Sequence, residues 1–269
     1  MKKFIGFVGL SHLGLVTSIA FSLKKINVVA YDENLKNVFK KNKIIINEPG
    51  LQKSIDKNKF IKFTDDFNFL IKCNIIYISF DIPTDSNGIG DYSIVNKTLK
   101  KINKYLPKNK IIVIHSQIYP GYIRNLKLKF KNVYYHVETL IFGKALRRAL
   151  NPERIIIGKE NKFKKINNDF LELLKKFDSP IIEMTYESAE LCKISINMML
   201  ISSIMTSNLL SRVSENTMAD WQDIIQALKL DKRIGKFAYL YPNLGLSGGN
   251  LERDLKVIEK YLDNKAHLN

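Results

Sequence analysis

Hydrophobic positions in the first two thirds of the chain form short β-branched or aromatic runs that alternate with amphipathic segments from residue 3 to about 184. This alternation is typical of a parallel sheet flanked by helices. It predicts a Rossmann-type, doubly wound α/β domain over residues 1–184. The eight predicted strands are 4–8, 27–31, 60–63, 75–80, 110–114, 133–136, 154–157 and 181–183.

The pattern changes after Thr185, where no further strand is indicated. Apolar residues then recur at alternating steps of three and four, which predicts one long buried helix with Thr185 as its N-cap. Further helical pattern covers 218–228 and 251–262, with a loop-like segment at 241–249. Residues 185–269 are therefore predicted to form an all-helical domain. The periodic residues are Leu191, Ile194, Met198, Ile201 and Met205.

A glycine-containing segment joins the first predicted strand to the first helix. Gly9 would allow the tight turn and Gly14 the close packing of helix on strand, while the amides of His12 and Leu13 would face a pyrophosphate. Ser11 stands where the dinucleotide-binding fingerprint has its second glycine. Its hydroxyl either bonds a phosphate or weakens binding.

An acidic residue, Asp32, follows the second predicted strand about 20 residues further on, as the fingerprint requires. A carboxylate there bonds a ribose 2′-hydroxyl and repels a 2′-phosphate, so the cofactor is expected to be NAD rather than NADP. Glycines at such a turn can also be purely structural. The combination of strand, loop, helix and acid favours a bound dinucleotide.

Six landmarks in one order resemble the UDP-glucose/GDP-mannose dehydrogenase family, from the first strand to about residue 255. The resemblance implies a nucleotide-binding domain, a helical dimerisation domain and a further domain that holds the sugar nucleotide. No counterpart of that last domain is found in the 269 residues, so we expect a truncated relative. The landmarks are the loop with 15–17, 47–51, Ser116 with Pro120 and Gly121, 150–158, 188–193 with Asn197, and 231–235.

The resemblance places Lys193 and Asn197 in the active site. Because they are four residues apart on a predicted helix, their side chains share one face. A partly desolvated lysine can accept an alcohol proton, and an asparagine amide can hold the developing oxyanion. The alternative is that both are simply solvated.

Three further residues take roles from the resemblance. Glu138 is the expected catalytic carboxylate, which orients a water or shuttles a proton, although a carboxylate at a strand end can also cap a helix. Asp254 is expected to hold the lysine or a water, and Arg233 to reach substrate from a neighbouring subunit. The altered neighbours are His136 and Val137 in place of Asn-Pro, and Phe142 in place of an acid.

The cysteine that the family uses to form an acid has no equivalent here. Residues 248–254 read Gly-Gly-Asn-Leu-Glu-Arg-Asp, which places Asn250 or Leu251 at the nucleophile position, depending on the alignment. Neither side chain can form a thioester. Cys192 points about 100° away from Lys193 on a helix. Gln117 also replaces the threonine of the family's Ser-Thr-Val segment, and the second acid near Gly143 is absent, so the water-handling part of the site is altered. Asn250 is also a candidate substrate contact.

These residues favour an NAD-dependent two-electron oxidoreductase that acts on an alcohol of a sugar or sugar nucleotide. An epimerase with retained NAD is a close variant. The competing class is a non-catalytic nucleotide-binding protein that serves as a sensor or subunit. A nucleic-acid binder is disfavoured, because the +17 charge comes from scattered lysines without an aromatic-interleaved basic motif. No metal site is expected.

Composition limits the remaining possibilities. At 269 residues and 45% hydrophobic content, the chain can hold two domains. Continuous apolar stretches fall short of the roughly 20 residues of a membrane span, so a cytoplasmic protein without membrane contact is expected. Two cysteines do not make a disulfide framework. The apolar surface of the long helix predicts a homodimer through residues 191–213.

Overall fold

An eight-stranded sheet organises the first part of the chain in the computed structural model, which describes residues 3–40, 43–56, 58–243 and 249–263. All eight predicted strands are confirmed; the first two have the predicted bounds, and the ends of the others are shifted by at most two residues. The strands of this sheet are β1 (Phe4–Val8), β2 (Asn27–Tyr31), β5 (Ile61–Thr64), β6 (Cys73–Ile78), β7 (Ile111–Ile114), β8 (Asn132–His136), β9 (Ile155–Lys159) and β10 (Ile181–Thr185); β3 (Phe39–Lys40) and β4 (Lys43–Ile44) form a separate hairpin.

The strand order is β10-β9-β8-β7-β6-β1-β2-β5, and neighbouring strands are parallel except for β8 and β9. The prediction of a parallel sheet is wrong for that pair, in which His136 lies opposite Ile157. An antiparallel neighbour needs no crossover helix over the sheet. The connection contains only the short helix α5 (Ala145–Leu150), which contacts α1 (His12–Leu23).

Hydrophobic clusters cover both faces of the sheet. Phe7 and Tyr77 pack on one face with the buried residues of α1. Ile76 and Ile78 point to the other face, where they meet α4 (Ser93–Tyr105). Because side chains alternate along a strand, two covered faces require apolar residues at consecutive positions, as in Ile75–Ile78. The remaining helices of this part are α2 (Leu51–Asp56), α3 (Asn68–Ile71) and α6 (Asn168–Lys175).

Contacts divide the chain into two compact units, one of residues 1–82 and 91–193, the other of residues 83–90 and 194–269. The inclusion of 83–90 in the second unit had no signal in the sequence. The predicted boundary at residue 184 stays a prediction. The helices after β10 are α7 (Tyr186–Thr217), α8 (Trp221–Leu230) and α9 (Gly249–Asp263).

The long helix α7 begins where the N-cap prediction places it. The Thr185 hydroxyl bonds the Ser188 hydroxyl at 2.9 Å and accepts from the Ser188 amide at 3.4 Å. The expectation that this helix is buried is wrong for much of its length within the single chain. Its large exposed residues include Met199, Met205, Leu209, Leu210 and Val213.

Helix α8 begins later than the predicted start at Met218. Met218 has a φ of 56° and is 97% exposed, so it lies outside the helix. The Asp220 carboxylate accepts from the Gln222 amide at 2.7 Å and caps the helix instead. Trp221 starts α8 and packs with Ile225 in a small second core.

Helix α7 is also long and apolar enough to cross a membrane when length and composition alone are considered. The expectation that the chain contains no such segment is wrong on that criterion. The polar residues between its apolar runs are mostly uncharged serine, threonine and asparagine, so the average remains apolar. A single helix of this kind is weak evidence for a membrane.

Candidate active site

The predicted dinucleotide loop connects β1 to α1. Gly9 has a φ of 91°, and a Cβ there would lie 2.6 Å from the ring of Phe80. A Cβ at Gly14 would lie 1.8 Å from the carbonyl oxygen of Gly9. The turn and the close approach of helix to strand both require glycine.

The Asp32 carboxylate lies directly after β2 and beside this loop. It accepts from the amide of Leu10 at 2.8 Å and from that of Asn34 at 2.9 Å. A carboxylate has about four acceptor positions, so it can still accept from a ribose hydroxyl. Asp32 can therefore accept from the adenosine ribose of a dinucleotide bound beside the loop and the start of α1.

The Ser11 hydroxyl is engaged within the protein. It donates to the Ser79 carbonyl at 3.3 Å and accepts from the Asp81 amide at 2.8 Å. The Asp81 carboxylate in turn lies 3.4 Å from the amide of Leu13, one of the two amides expected to face a pyrophosphate. No motif or periodicity in the sequence marks Asp81.

Glu48, in one of the six landmarks, joins three separate segments. Its buried carboxylate accepts from the amides of Gly143 at 3.0 Å and Ala145 at 2.8 Å, and bonds His12 Nε2 at 3.2 Å. Burial alone would raise the pKa of Glu48, but these bonds outweigh it and lower the pKa. The His12 ring also lies 4.4 Å from that of Phe142, the residue at the position of the family's second acid.

Glu138 and Lys193 form a buried ion pair. Lys193 Nζ lies 2.6 Å from Glu138 Oε1, and the two side chains are 9% and 14% exposed. Glu138 also accepts from the amide of Leu140 at 2.8 Å. Burial would raise the pKa of Glu138, but the charge and hydrogen bond of Lys193 outweigh it and lower the pKa. Glu138 is therefore ionised at neutral pH. The alternative role of Glu138 as a helix cap is not seen at α5, whose first amide, that of Ala145, donates to Glu48.

A second buried pair lies in the other unit. Asn197 Nδ2 donates to Asp254 Oδ2 at 2.6 Å, and the residues are 8% and 1% exposed. The neighbouring Arg253 bonds the Thr84 hydroxyl at 3.3 Å. Since an asparagine amide carries two donors, one N–H of Asn197 remains after the bond to Asp254.

The two candidate substrate residues are exposed. Arg233 is bonded to Asp231 at 2.6 Å and its side chain is 89% exposed. Asn250 is the second residue of α9 and is exposed, while Leu251 is half-buried. Within the predicted loop at 241–249, residues 244–248, which include Gly248, lie outside the described residues.

Two histidines lie near Glu138, the buried His115 and the half-buried His136. His115 Nδ1 is 2.8 Å from the His136 carbonyl, and Thr17 Oγ1 is 3.4 Å from His115 Nε2. Tyr77 bonds His136 Nδ1 at 3.3 Å. Burial lowers the pKa of both imidazoles, so they are neutral. They fix the strand end that carries Glu138 and line a cavity of about 40 Å³ with it.

The two histidines had partial signals in the sequence. His115 immediately precedes Ser116, and His136 replaces the asparagine of Asn-Pro-Glu, but their mutual contact depends on β7 and β8 being neighbours. Among the residues that the structure describes, no group of three His, Cys, Asp or Glu side chains is placed to hold a metal.

Two other landmarks have a structural explanation. The buried Glu190 carboxylate accepts from the amides of Gly121 at 2.6 Å and Ile123 at 2.9 Å. A Cβ at Gly158 would lie 2.9 Å from the Cβ of Ala189. The first turns of α7 are therefore held against the sheet by one buried carboxylate and one close approach.

Comparisons with known proteins agree with this arrangement. Residues 3–178 match the NAD binding domain of the UDP-glucose/GDP-mannose dehydrogenase family, and residues 187–268 match its central domain. The chain is 28% identical to a UDP-glucose 6-dehydrogenase of Rickettsia bellii over 97% of this chain and 63% of that protein. It is 29% identical to a UDP-glucose 6-dehydrogenase of Bacillus subtilis over 96% and 58%.

A solved structure of similar fold is a UDP-glucose dehydrogenase from Pyrobaculum islandicum. The TM-score is 0.84 at 23% identity, over 99% of this chain and 65% of that one. The fold comparison confirms the predicted Rossmann-like sheet with a following helical segment. The chain spans about three fifths of the length of the curated relatives named here.

Proposed function

Because the chain belongs to the UDP-glucose/GDP-mannose dehydrogenase family, we propose that it is an NAD-dependent oxidoreductase that oxidises an alcohol of a sugar or sugar nucleotide to a carbonyl. The observation that carries this proposal is the buried pair of Glu138 and Lys193, with Nζ and Oε1 2.6 Å apart. A buried ion pair is unfavourable without compensation and is weak evidence for a purely stabilising role.

NAD supplies the hydride acceptor when it is bound. Asp32 would accept from the adenosine ribose, and the amides at the start of α1 would face the pyrophosphate. The amides around Gly9, which follows the carboxyl end of β1, would hold the dinucleotide there. This half of the proposed site requires no residue from a further domain.

Lys193 takes the proton of the substrate alcohol in the proposed reaction. The ion pair holds Lys193 as an ammonium, so Nζ first gives a proton to Glu138 or to water. The neutral amine then accepts the hydroxyl proton while the adjacent carbon loses a hydride. The ammonium that forms is stabilised by the Glu138 carboxylate, and one of its protons can move to Glu138 Oε1 and from there to water, which restores the neutral amine. Exposures of 9% and 14% keep bulk water largely away from this pair.

Asn197 holds the substrate oxygen in the proposed reaction. Its bond to Asp254 orients the amide, and its second N–H is available to a developing oxyanion. Asn250 and Leu251 offer no thiol for a covalent intermediate, so the proposed reaction ends at the carbonyl stage after one hydride transfer. Arg233 and Asn250 are proposed substrate contacts.

A non-catalytic nucleotide-binding protein is the second candidate. Asn250 and Leu251 at the position of the family's nucleophile favour it, because the site then lacks one of the family's catalytic groups. For either candidate, we propose a cytoplasmic homodimer formed through the helical domain, without nucleic-acid or membrane partners.

The test uses the purified chain with NAD and a panel of nucleotide sugars that includes UDP-glucose and GDP-mannose. We expect one NADH, measured by absorbance, for each sugar consumed. Lys193→Met should lower turnover by about a hundredfold or more, as expected for loss of a general base. Lys175→Met, which removes an exposed lysine on α6, should leave it unchanged.

Two results would count against the proposal. Two NADH per sugar would contradict the single hydride transfer. NAD binding without turnover of any sugar nucleotide would favour the non-catalytic protein.

A further inference from the structure

The anion-binding end of α1 already faces a carboxylate of the same chain. Asp81 lies three residues beyond Ile78, the last residue of β6, and its Oδ2 is 3.4 Å from the Leu13 amide. Helix N-termini carry a partial positive charge and unsatisfied amides, which attract anions. A carboxylate of the protein itself therefore lies at an amide where a bound anion would be expected.

Ser11 holds Asp81 in this place. Its hydroxyl accepts from the Asp81 amide at 2.8 Å and donates to the Ser79 carbonyl at 3.3 Å. A glycine, which the fingerprint has at this position, could make neither bond. The serine in the loop and the aspartate after β6 are thus two parts of one local arrangement.

We propose that Asp81 is an internal competitor for the pyrophosphate position, which weakens dinucleotide binding at neutral pH and couples binding to the uptake of a proton. A pyrophosphate placed at the Leu13 amide would lie within a few ångström of the ionised carboxylate. At such distances, repulsion between like charges is large enough to lower affinity by about tenfold or more. A protonated Asp81 removes the repulsion.

Charged groups around Asp81 act in both directions. Asp81 is exposed as a residue, but its carboxyl is partly shielded from solvent, which raises its pKa, and the hydrogen bond from the Leu13 amide opposes that rise. His12 lowers the pKa further by its charge, whereas the ionised Glu138 raises it. The net direction is upward, so the carboxyl of Asp81 takes up a proton more readily than an ordinary aspartate. A bound pyrophosphate adds negative charge and moves the equilibrium further toward the protonated form.

This inference rests on NAD binding and not on the proposed oxidation, so the two fail separately. The experiment measures the Kd of NAD by calorimetry for the wild type, Asp81→Asn and Asp178→Asn. Asp178→Asn is the matched control, because it removes the same charge between α6 and β10, at the amino-terminal edge of β10. Titrations in buffers of different ionisation enthalpy count the protons taken up, and a second series lowers the pH.

Asp81→Asn should bind NAD about tenfold more tightly than the wild type at neutral pH, and Asp178→Asn should not differ by more than about twofold. The wild type should take up protons on binding and bind more tightly as the pH falls, and Asp81→Asn should lose both effects. Equal or weaker binding by Asp81→Asn, absence of binding by that variant, or unchanged proton uptake would overturn the proposal.

Discussion

Glu48 shows how one side chain can hold several loops of a site together. The Glu48 side chain is 1% exposed, and its carboxylate accepts from the amides of Gly143 and Ala145 and from His12. Those residues belong to the dinucleotide loop and to the segment that follows Glu138. A buried acceptor with three donors stabilises the folded state chiefly because its removal leaves those donors unpaired.

Glu48→Gln should therefore reduce the free energy of unfolding by about 1–3 kcal/mol at pH 7, since one amide nitrogen replaces an acceptor. The folded-state pKa of Glu48 is lowered. Its stabilising effect is therefore present above the unfolded-state pKa and is lost as the pH falls through the folded-state pKa. Denaturant unfolding at several pH values checks this.

Glu172→Gln is the matched control on the surface of α6, where the exposed pair with Lys175 should change stability by less than about 0.5 kcal/mol. If the loss of unfolding free energy in Glu48→Gln does not become smaller at acid pH, the ionised carboxylate is not the cause of the stabilisation.

At the scale of elements, the first turns of α7 lie against β9. Gly158 in β9 and Ala189 in α7 approach so closely that a Cβ on Gly158 would be 2.9 Å from the Cβ of Ala189 and 3.1 Å from that of Tyr135. Both neighbours are the stiff first atoms of their side chains. The backbone must therefore move to admit a methyl group, and Lys193 lies one turn further along the same helix.

Gly158→Ala should lower the free energy of unfolding by about 1–3 kcal/mol, the usual effect of overpacking. Ala189→Gly alone should lower it by about 1 kcal/mol through loss of helix propensity. The double variant should lose less than the sum of the two, because the added methyl group then has space. Denaturant unfolding of the wild type, the two single variants and the double variant gives the coupling free energy. If the two single effects simply add, the close approach of Gly158 and Ala189 does not limit packing.

At the scale of the whole molecule, exposed apolar side chains on the second unit need an explanation. Met205, Leu209 and Val213 on α7 are 60%, 63% and 48% exposed. Large contiguous apolar surface in a soluble chain usually marks an interaction site. The exposure of these residues supports the proposed homodimer through 191–213.

Light scattering should give twice the mass of the chain, and Leu209→Glu should shift it toward the monomer, because a charge would then be buried in the interface. Phe163→Glu is the control in the first unit, where Phe163 is 94% exposed. That variant should keep the wild-type mass, and a monomeric wild type would refute the dimer.

The sequence by itself determined the features that depend on local pattern. Eight strands, the N-cap Thr185 and the glycine requirement at Gly9 and Gly14 follow from periodicity and backbone conformation, which neighbouring residues impose on one another. Lys193, Asn197 and Glu138 were located by motif, and their catalytic roles stay predictions. Motifs also showed the absence of a cysteine at Asn250.

Only the tertiary structure decided the contacts between segments distant in the chain. Asp81 reaches the Leu13 amide across 68 positions, and Glu48 reaches Gly143 across 95. The antiparallel pairing of β8 with β9 and the exposure of α7 are likewise decided by the tertiary structure. Such contacts depend on how the sheet and helices pack, and a single aspartate or glutamate in a loop has no periodicity to reveal its partner.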